Sequence, residues 1–396
     1  MNFDAIIIGA GPAGSTVSLA LARMGWSVAV VEKASFPRRK VCGEFMSATS
    51  LAVIDRLGIG DALRRAAGPE VRRLALFAGD DVVKARMPTA SDGGFGRALG
   101  RDVLDDLLVR AARGAGAQIF QPCRAVAVSA EDGVQRVRIA MRDRETMLRA
   151  PVLIAAHGSW EHGNLPTQLK KINNPSDFFG FKTHFRNASL APDIMPLLAF
   201  PGGYGGIVWA DSGRLSLSCC MRRDALARAR KTYGNTSASE AVHRHLMASC
   251  RGVRDVVGNA NLEGQWLAAG PIRPGIRQRY AADIFRVGNV AGESHPIIAE
   301  GISMAIQSGW LLALELSRVD ARSLAGREAA GKRYSAAWRT QFATRIYAAT
   351  AFAQIAIRPS SANFAHAAIK AAPAILTIGA RLSGKTSLVR FCRVPS

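Results

Sequence analysis

Ile6-Ile7-Ile8-Gly9-Ala10-Gly11-Pro12-Ala13-Gly14 is the stretch that decides the fold of this chain. An apolar run from Phe3 ends in a glycine turn, and a helical pattern follows over residues 12–24, with Val17, Leu19, Ala20 and Leu21 able to face a sheet. A second strand pattern at 27–32 completes the first half of a βαβ unit. G-x-G-x-x-G alone is a weak signal; between a strand and a helix it is a strong one. Gly9 permits the tight turn, Gly11 lets backbone approach a phosphate, and Gly14 lets helix and strand pack closely. The helix N-terminus adds unpaired N–H groups and a positive dipole end, so a pyrophosphate is expected there. Glu32 closes the second strand, where an acid accepts hydrogen bonds from an adenosine ribose and repels a 2′-phosphate.

Composition bounds the rest. A chain of 396 residues, 48% hydrophobic and 21% charged, is an ordinary globular protein of more than one domain, not a disordered one. The first strand starts too early to leave room for a secretory signal, so a cytoplasmic location is expected. Cys42, Cys123, Cys219, Cys220, Cys250 and Cys392 form no C-x-x-C pair and no regular spacing, so free thiols and no metal site are expected. The net charge of +22 would attract anionic lipid, nucleic acid or an acidic carrier protein. Because the basic residues are spread rather than blocked, nucleic acid is not expected. No charge-free stretch reaches the ~18 residues of a membrane span. Residues 346–357, 359–369 and 371–380 are nonetheless mostly apolar or small, punctuated by Arg345, Arg358, Lys370 and Arg381. Two readings stay open for them: helices lying on a membrane surface, or a helical subdomain packed on the main body or on a second subunit.

Further along, residues 48–57 and 102–112 have helical patterns, and 118–148 alternate in short runs bounded by Asp132-Gly133 and Asp143, as antiparallel strands do. A buried strand is expected at 152–156, strands of a second sheet at 178–185, 206–209 and 215–220, another strand at 283–290, and a helix at 299–316. The expected architecture is α/β with α+β elements. A Rossmann-type domain in three parts (1–75, 97–160 and 277–320) is interrupted by a mixed-sheet substrate domain (76–96 and 161–276) and followed by a helical C-terminal region (321–396).

Two stretches separate FAD from NAD: Arg101-Asp102-Val103-Leu104-Asp105-Asp106-Leu107-Leu108 and Val287-Gly288-Asn289-Val290-Ala291-Gly292. Here the chain resembles, over about residues 1–320, the FAD-dependent superfamily of geranylgeranyl reductases, flavin-dependent halogenases and single-component hydroxylases, and is most similar to geranylgeranyl reductase-like flavoproteins. Pro37-Arg38-Arg39-Lys40-Val41-Cys42-Gly43-Glu44 is similar to the loop after the second strand in the reductases and halogenases, and Pro201-Gly202-Gly203-Tyr204-Gly205 to the reductases' substrate-domain motif. The resemblance implies FAD as cofactor. It places Gly9, Gly11, Pro12, Ala13 and Gly14 at the pyrophosphate with Arg101 on the same side, and Glu32 and Lys33 toward the adenosine end. Cys42 and Gly43 fall near the isoalloxazine, and Gly288 and Asn289 along the ribityl chain and phosphates. Pro296, Glu300, Gly301 and Ile302 form a turn that aims N–H groups at the flavin N1/O2 edge, where a helix N-terminus stabilises the negative charge of the reduced ring.

Two positions depart from the family. Asn289 stands where an aspartate is common, which makes one hydrogen bond neutral. His157, in Ala155-Ala156-His157-Gly158-Ser159, stands where hydroxylases carry an aspartate that helps position NADPH. The reductant is therefore open between NAD(P)H and a separate reductase or flavin partner. Candidate catalytic residues are Cys42, with Arg39 and Lys40 beside it, His295 as proton donor or base, and Tyr204 as a pocket wall with Trp209. An inert thiol, a capping histidine and core aromatics are the plainer alternatives. Lys182 and His184 alternate on one face of a strand, to meet an acidic substrate head or solvent. The favoured reaction is monooxygenation of a lipophilic, phenolic or polyketide-like small-molecule substrate, ahead of reduction of isoprenoid double bonds. Halogenation comes third, since the W-x-W-x-I-P signature is absent. A flavin-binding protein without turnover is the least favoured reading.

Overall fold

The strand Ala5–Ile8 lies inside a six-stranded sheet in the order Tyr280–Ala281, Ile284–Arg286, Val152–Ala155, Ala5–Ile8, Val28–Val31, Gln118–Phe120. All pairs are parallel except the first. The computed structural model describes residues 1–389 apart from 92, 143, 162 and 171. Asp143 and Cys392, read above as a turn residue and a thiol, lie outside the described residues.

Ala5–Ile8, Val28–Val31 and Val152–Ala155 are buried at every position, as parallel strands covered on both faces require. Helices Pro12–Arg23, Arg101–Gly114 and Gly301–Leu316 cover one face through Val17, Leu108 and Ile306. A three-stranded antiparallel sheet covers the other, where Val137 and Leu148 meet Ile6 and Ile8.

The second sheet has seven strands, in the order Asn261–Ile272, Phe178–Arg186, Leu215–Arg222, Gly203–Trp209, Ile194–Phe200, Arg73–Ala78, Asp81–Arg86. Ile194–Phe200 and Arg73–Ala78 pair in parallel, and the other pairs are antiparallel. Phe185, Leu217, Leu246 and Val253 form the core between this sheet and its covering helices. Four of its strands escaped the sequence reading. Pro196 interrupts one, Gly264 and Gly270 another, and Arg73–Ala78 and Asp81–Arg86 are short.

Two boundaries differ from expectation. The strand at 283–290 is only Ile284–Arg286, followed by a tight turn Gly288–Val290 that begins at φ +60° on Gly288. The helix expected from 299 begins at Gly301, because Ala299 sits in the left-handed region at φ +52° after the separate turn Pro296–Ile298.

The helix Leu324–Ile357 buries Tyr334, Trp338 and Phe342 in the core of the cofactor domain. Arg345, which punctuates the apolar C-terminal segments, is buried and donates to Gln307 Oε1 at 3.2 Å, as packing on the main body requires. Among the described residues, no helix is long and apolar enough to cross a membrane.

Candidate cofactor and substrate site

The glycine turn has the form its spacing predicts. Gly9 has φ +107°, and a Cβ there would lie 2.7 Å from the Ala156 carbonyl oxygen. At Gly14 a Cβ would lie 1.9 Å from the Gly9 oxygen, so this glycine serves the packing of helix on strand. Gly11 instead faces open space, its nearest neighbour Arg101 Nη2 at 3.8 Å from a Cβ position. No side chain caps the helix Pro12–Arg23, which leaves its first N–H groups free for phosphate oxygens. Glu32 accepts from Ala10 N and Ala34 N, both at 2.9 Å, so the turn itself aims the carboxylate, and its remaining lone pairs can accept ribose hydroxyls.

A cavity of about 390 Å³ extends from this turn and is lined by Gly9, Gly11, Pro12, Ala13, Glu32, Lys33, Cys42, Gly43, Arg101, Tyr204, Gly288, Asn289, Pro296, Gly301 and Ile302. Residues as far apart in sequence as Gly9 and Ile302, 293 positions, thus meet at one site. Arg101 reaches it while clasped by both Asp105 oxygens at 2.7 Å; burial disfavours its charge, but Asp105 more than restores it. Lys40 also lines the cavity, and burial, with Arg101 and Arg38 adding to it, pulls its ammonium down to about 8.

Three expected site residues stand apart from the lining. Gly14 packs against the turn. His295 is buried behind the wall and bonds Tyr204. Glu300 turns away from the cavity: its carboxylate accepts from Lys385 Nζ at 2.9 Å and Ser47 Oγ at 3.1 Å, with Arg345 at 3.7 Å. Because Glu300 is so engaged, no side chain caps Gly301–Leu316, and this second helix N-terminus is also open toward the cavity. A Cβ at Gly301 would meet nothing within 4 Å.

A second cavity of about 1270 Å³ lies between the seven-stranded sheet and the C-terminal helices, with Leu74, Leu76, Phe200, Phe352, Ile369 and Leu376 among its walls. Met195, Leu197, Tyr204, Gly205 and Ile297 belong to both cavities. Tyr204 is 1% exposed and its hydroxyl lies 3.0 Å from His295 Nδ1, with the Phe178 ring against both. Burial lowers the His295 imidazole to about 4 and raises the Tyr204 phenol well above its usual 10, so at neutral pH both are uncharged. The phenol and Nδ1 share one hydrogen bond, and the imidazole tautomer sets which of them donates. Trp209, expected beside Tyr204, instead donates to the Leu190 carbonyl at 3.0 Å and lines neither cavity.

Sequence reasoning missed the buried cluster at Glu44. Lys182 and His184, offered to substrate or solvent, are fully buried and grip Glu44 from the second sheet. Glu44 also accepts from the Arg101 backbone N–H at 3.1 Å. Arg39 can only donate to His184 Nδ1, at 3.1 Å, so Nε2 carries the proton that is given to Glu44 at 2.8 Å. Burial would raise the Glu44 carboxyl, but the His184 hydrogen bond and the Lys182 charge bring it down to about 2. The cluster locks the Cys42-Gly43-Glu44 loop onto the strand Phe178–Arg186. The available signal was two polar residues alternating inside Phe178-Phe179-Gly180-Phe181-Lys182-Thr183-His184-Phe185, a strand otherwise too apolar for an open face.

The departures from the family pattern are also placed. Asn289 Nδ2 donates to Glu293 at 3.1 Å, and the cavity-lining Glu293 is raised by burial against the opposing pull of its partners. His157 lines the cavity between the Gly158 carbonyl at 2.9 Å and Thr167 Oγ1 at 2.8 Å, and burial lowers its imidazole.

Two uncapped helix N-termini, a ribose-facing carboxylate and an elongated cavity between them fit FAD. The fold and this site define an FAD-binding protein with a Rossmann-type cofactor domain. The chain belongs to the family described as FAD binding domain, whose model matches residues 2–321. It is 33% identical over 156 residues to a menaquinone reductase of Mycobacterium tuberculosis, a match covering 39% of this chain and 38% of that protein. Over 366 residues it is 26% identical to digeranylgeranylglycerophospholipid reductase 2 of Methanopyrus kandleri, covering 86% of this chain and 83% of that one. The fold is shared with a flavin-dependent brominase, at TM-score 0.76 and 18% identity over 97% of this chain and 94% of that one.

Proposed function

We propose that this flavoprotein reduces a carbon–carbon double bond in a long apolar substrate of the isoprenoid kind. The observation that carries this reading is Tyr204, a neutral buried phenol hydrogen-bonded to His295 in the wall shared by the cofactor cavity and the apolar cavity. FAD, when bound and reduced, supplies a hydride. Saturating the bond also takes a proton at the second carbon, and the Tyr204 hydroxyl stands where an apolar chain would meet the cofactor site. His295, uncharged, keeps the phenol oriented through their hydrogen bond. The 1270 Å³ cavity, with mostly apolar walls, has room for a long apolar chain beside that meeting point. A reductase matched over 86% of this chain adds support.

Monooxygenation of a lipophilic phenolic or polyketide-like compound is the second reading, supported by the same apolar cavity. The order of the two is exchanged relative to the sequence reading because Tyr204, read there as a pocket wall, is hydrogen-bonded to His295, read there as a proton donor or base. A separate reductase or flavin partner is the proposed electron source, since His157 is already satisfied on both ring nitrogens.

The test is incubation of dithionite-reduced holoprotein under nitrogen with a menaquinone and with a geranylgeranyl lipid, followed by mass spectrometry. A product gaining two hydrogens is expected. No anaerobic product, with oxygen from labelled dioxygen incorporated in air, overturns reduction in favour of monooxygenation.

A further inference from the structure

Residues 329–396 contain ten Lys and Arg and no Asp or Glu; among the described ones Arg345 and Lys385 are buried, Arg333 and Lys370 pair with Glu315 and Asp81, and Lys332, Arg339, Arg358 and Arg381 are exposed. Of the twelve large apolar side chains exposed among the described residues, six (Tyr347, Ile355, Phe364, Ile375, Ile378 and Leu382) fall within this segment, so the exposure is clustered rather than scattered. The helices Pro359–Ala371 and Ala374–Leu382 roof the apolar cavity, with Ile369, Ile375 and Leu376 on its wall. Away from that wall, Phe364 is 79% exposed and Ile378 and Leu382 are more than half exposed, with Arg358 and Arg381 exposed nearby.

This roof is clamped in place. Lys370 and His366 reach Asp81 at 3.0 and 3.1 Å, Thr377 Oγ1 donates to the Arg86 carbonyl at 2.7 Å, and Lys385 is buried against Glu300. The exposed apolar side chains therefore belong to a fixed surface rather than to a loosely packed end.

We propose that these two helices lie on an anionic lipid bilayer, with Phe364, Ile378 and Leu382 at the acyl boundary and Arg358 and Arg381 at the lipid phosphates, and that an apolar chain enters the 1270 Å³ cavity from the leaflet. Charge decides between occupants. Two copies of a segment without acidic residues repel each other face to face, whereas an anionic surface satisfies the cations and the apolar side chains together. Only the identity of the entering chain rests on the reductase reading; the docking does not.

Full-length FAD-loaded protein is sedimented with phosphatidylcholine vesicles and with vesicles containing phosphatidylglycerol. Binding to the anionic vesicles, weakening with salt and scarce on the neutral ones, is expected. In the double variant Phe364→Asp with Ile378→Asp, lipid affinity falls by about tenfold or more while flavin content and thermal midpoint are unchanged. Three outcomes overturn the proposal: no binding to anionic vesicles, a double variant that binds like the wild type, or a wild-type dimer in solution that the double variant abolishes. Sedimentation reads docking without turnover, and the anaerobic product assay reads the reaction without vesicles, so the failure of one is distinct from the failure of the other.

Discussion

Replacing Glu44 with glutamine keeps the shape of the side chain and removes its charge, leaving the fully buried Lys182 ammonium without its counter-charge. Breaking a buried pair in this way costs ~3–5 kcal/mol. The depressed carboxyl points to the same size: lowered from 4.5 to about 2, it amounts to roughly 3 kcal/mol at ~1.4 kcal/mol per unit. The folded value lies below the unfolded one, so this stabilisation is complete above about pH 4.5 and is lost as pH falls through about 2. Urea unfolding of wild type and Glu44→Gln, followed by tryptophan fluorescence and flavin release, measures the difference at neutral pH and at steps downward into acid. A gap of roughly 3 kcal/mol at neutral pH, narrowing below about pH 4.5, is expected. A gap under about 1 kcal/mol, or one that stays constant through the acid range, refutes the account of Glu44 as the charged centre of a buried cluster.

Tyr204→Phe removes only the hydroxyl; flavin content should hold while turnover falls by about a hundredfold, and equal turnover would remove Tyr204 as proton donor. Because burial keeps His295 neutral until about pH 4, the rate should be level through the usual histidine range and decline only toward that value; an inflection at the ordinary histidine value would show a charged imidazole instead. Gly14→Ala sets a methyl 1.9 Å from the Gly9 oxygen, so purified protein should lose FAD and melt several degrees lower, whereas normal flavin content would contradict the close packing of helix and strand.

The cofactor half was legible because its requirements are local. Gly9, Gly11 and Gly14 are dictated by backbone geometry within one turn, and Glu32 by the length of one helix and one strand, so spacing alone located them. The Pro296 to Gly301 turn came from the family resemblance rather than from spacing, and the left-handed Ala299, which delays the helix to Gly301, has no signature of its own. The second sheet was only partly legible, since its strands take their partners from far along the chain, as Arg73–Ala78 does with Ile194–Phe200. Direction of burial was illegible as well. Lys182 and His184 read as exposed or substrate-facing until Glu44, some 140 residues away in the chain, supplied the charge and acceptor that let them go inside. Arg345 read only as punctuation between apolar segments until Gln307 and Glu300 met it. The sequence by itself determined where a dinucleotide binds, because a phosphate cradle is made of neighbouring residues. Only the tertiary structure decided what lies beside that cradle, because Tyr204, its partner His295 and the apolar cavity come together through contacts that no local pattern encodes.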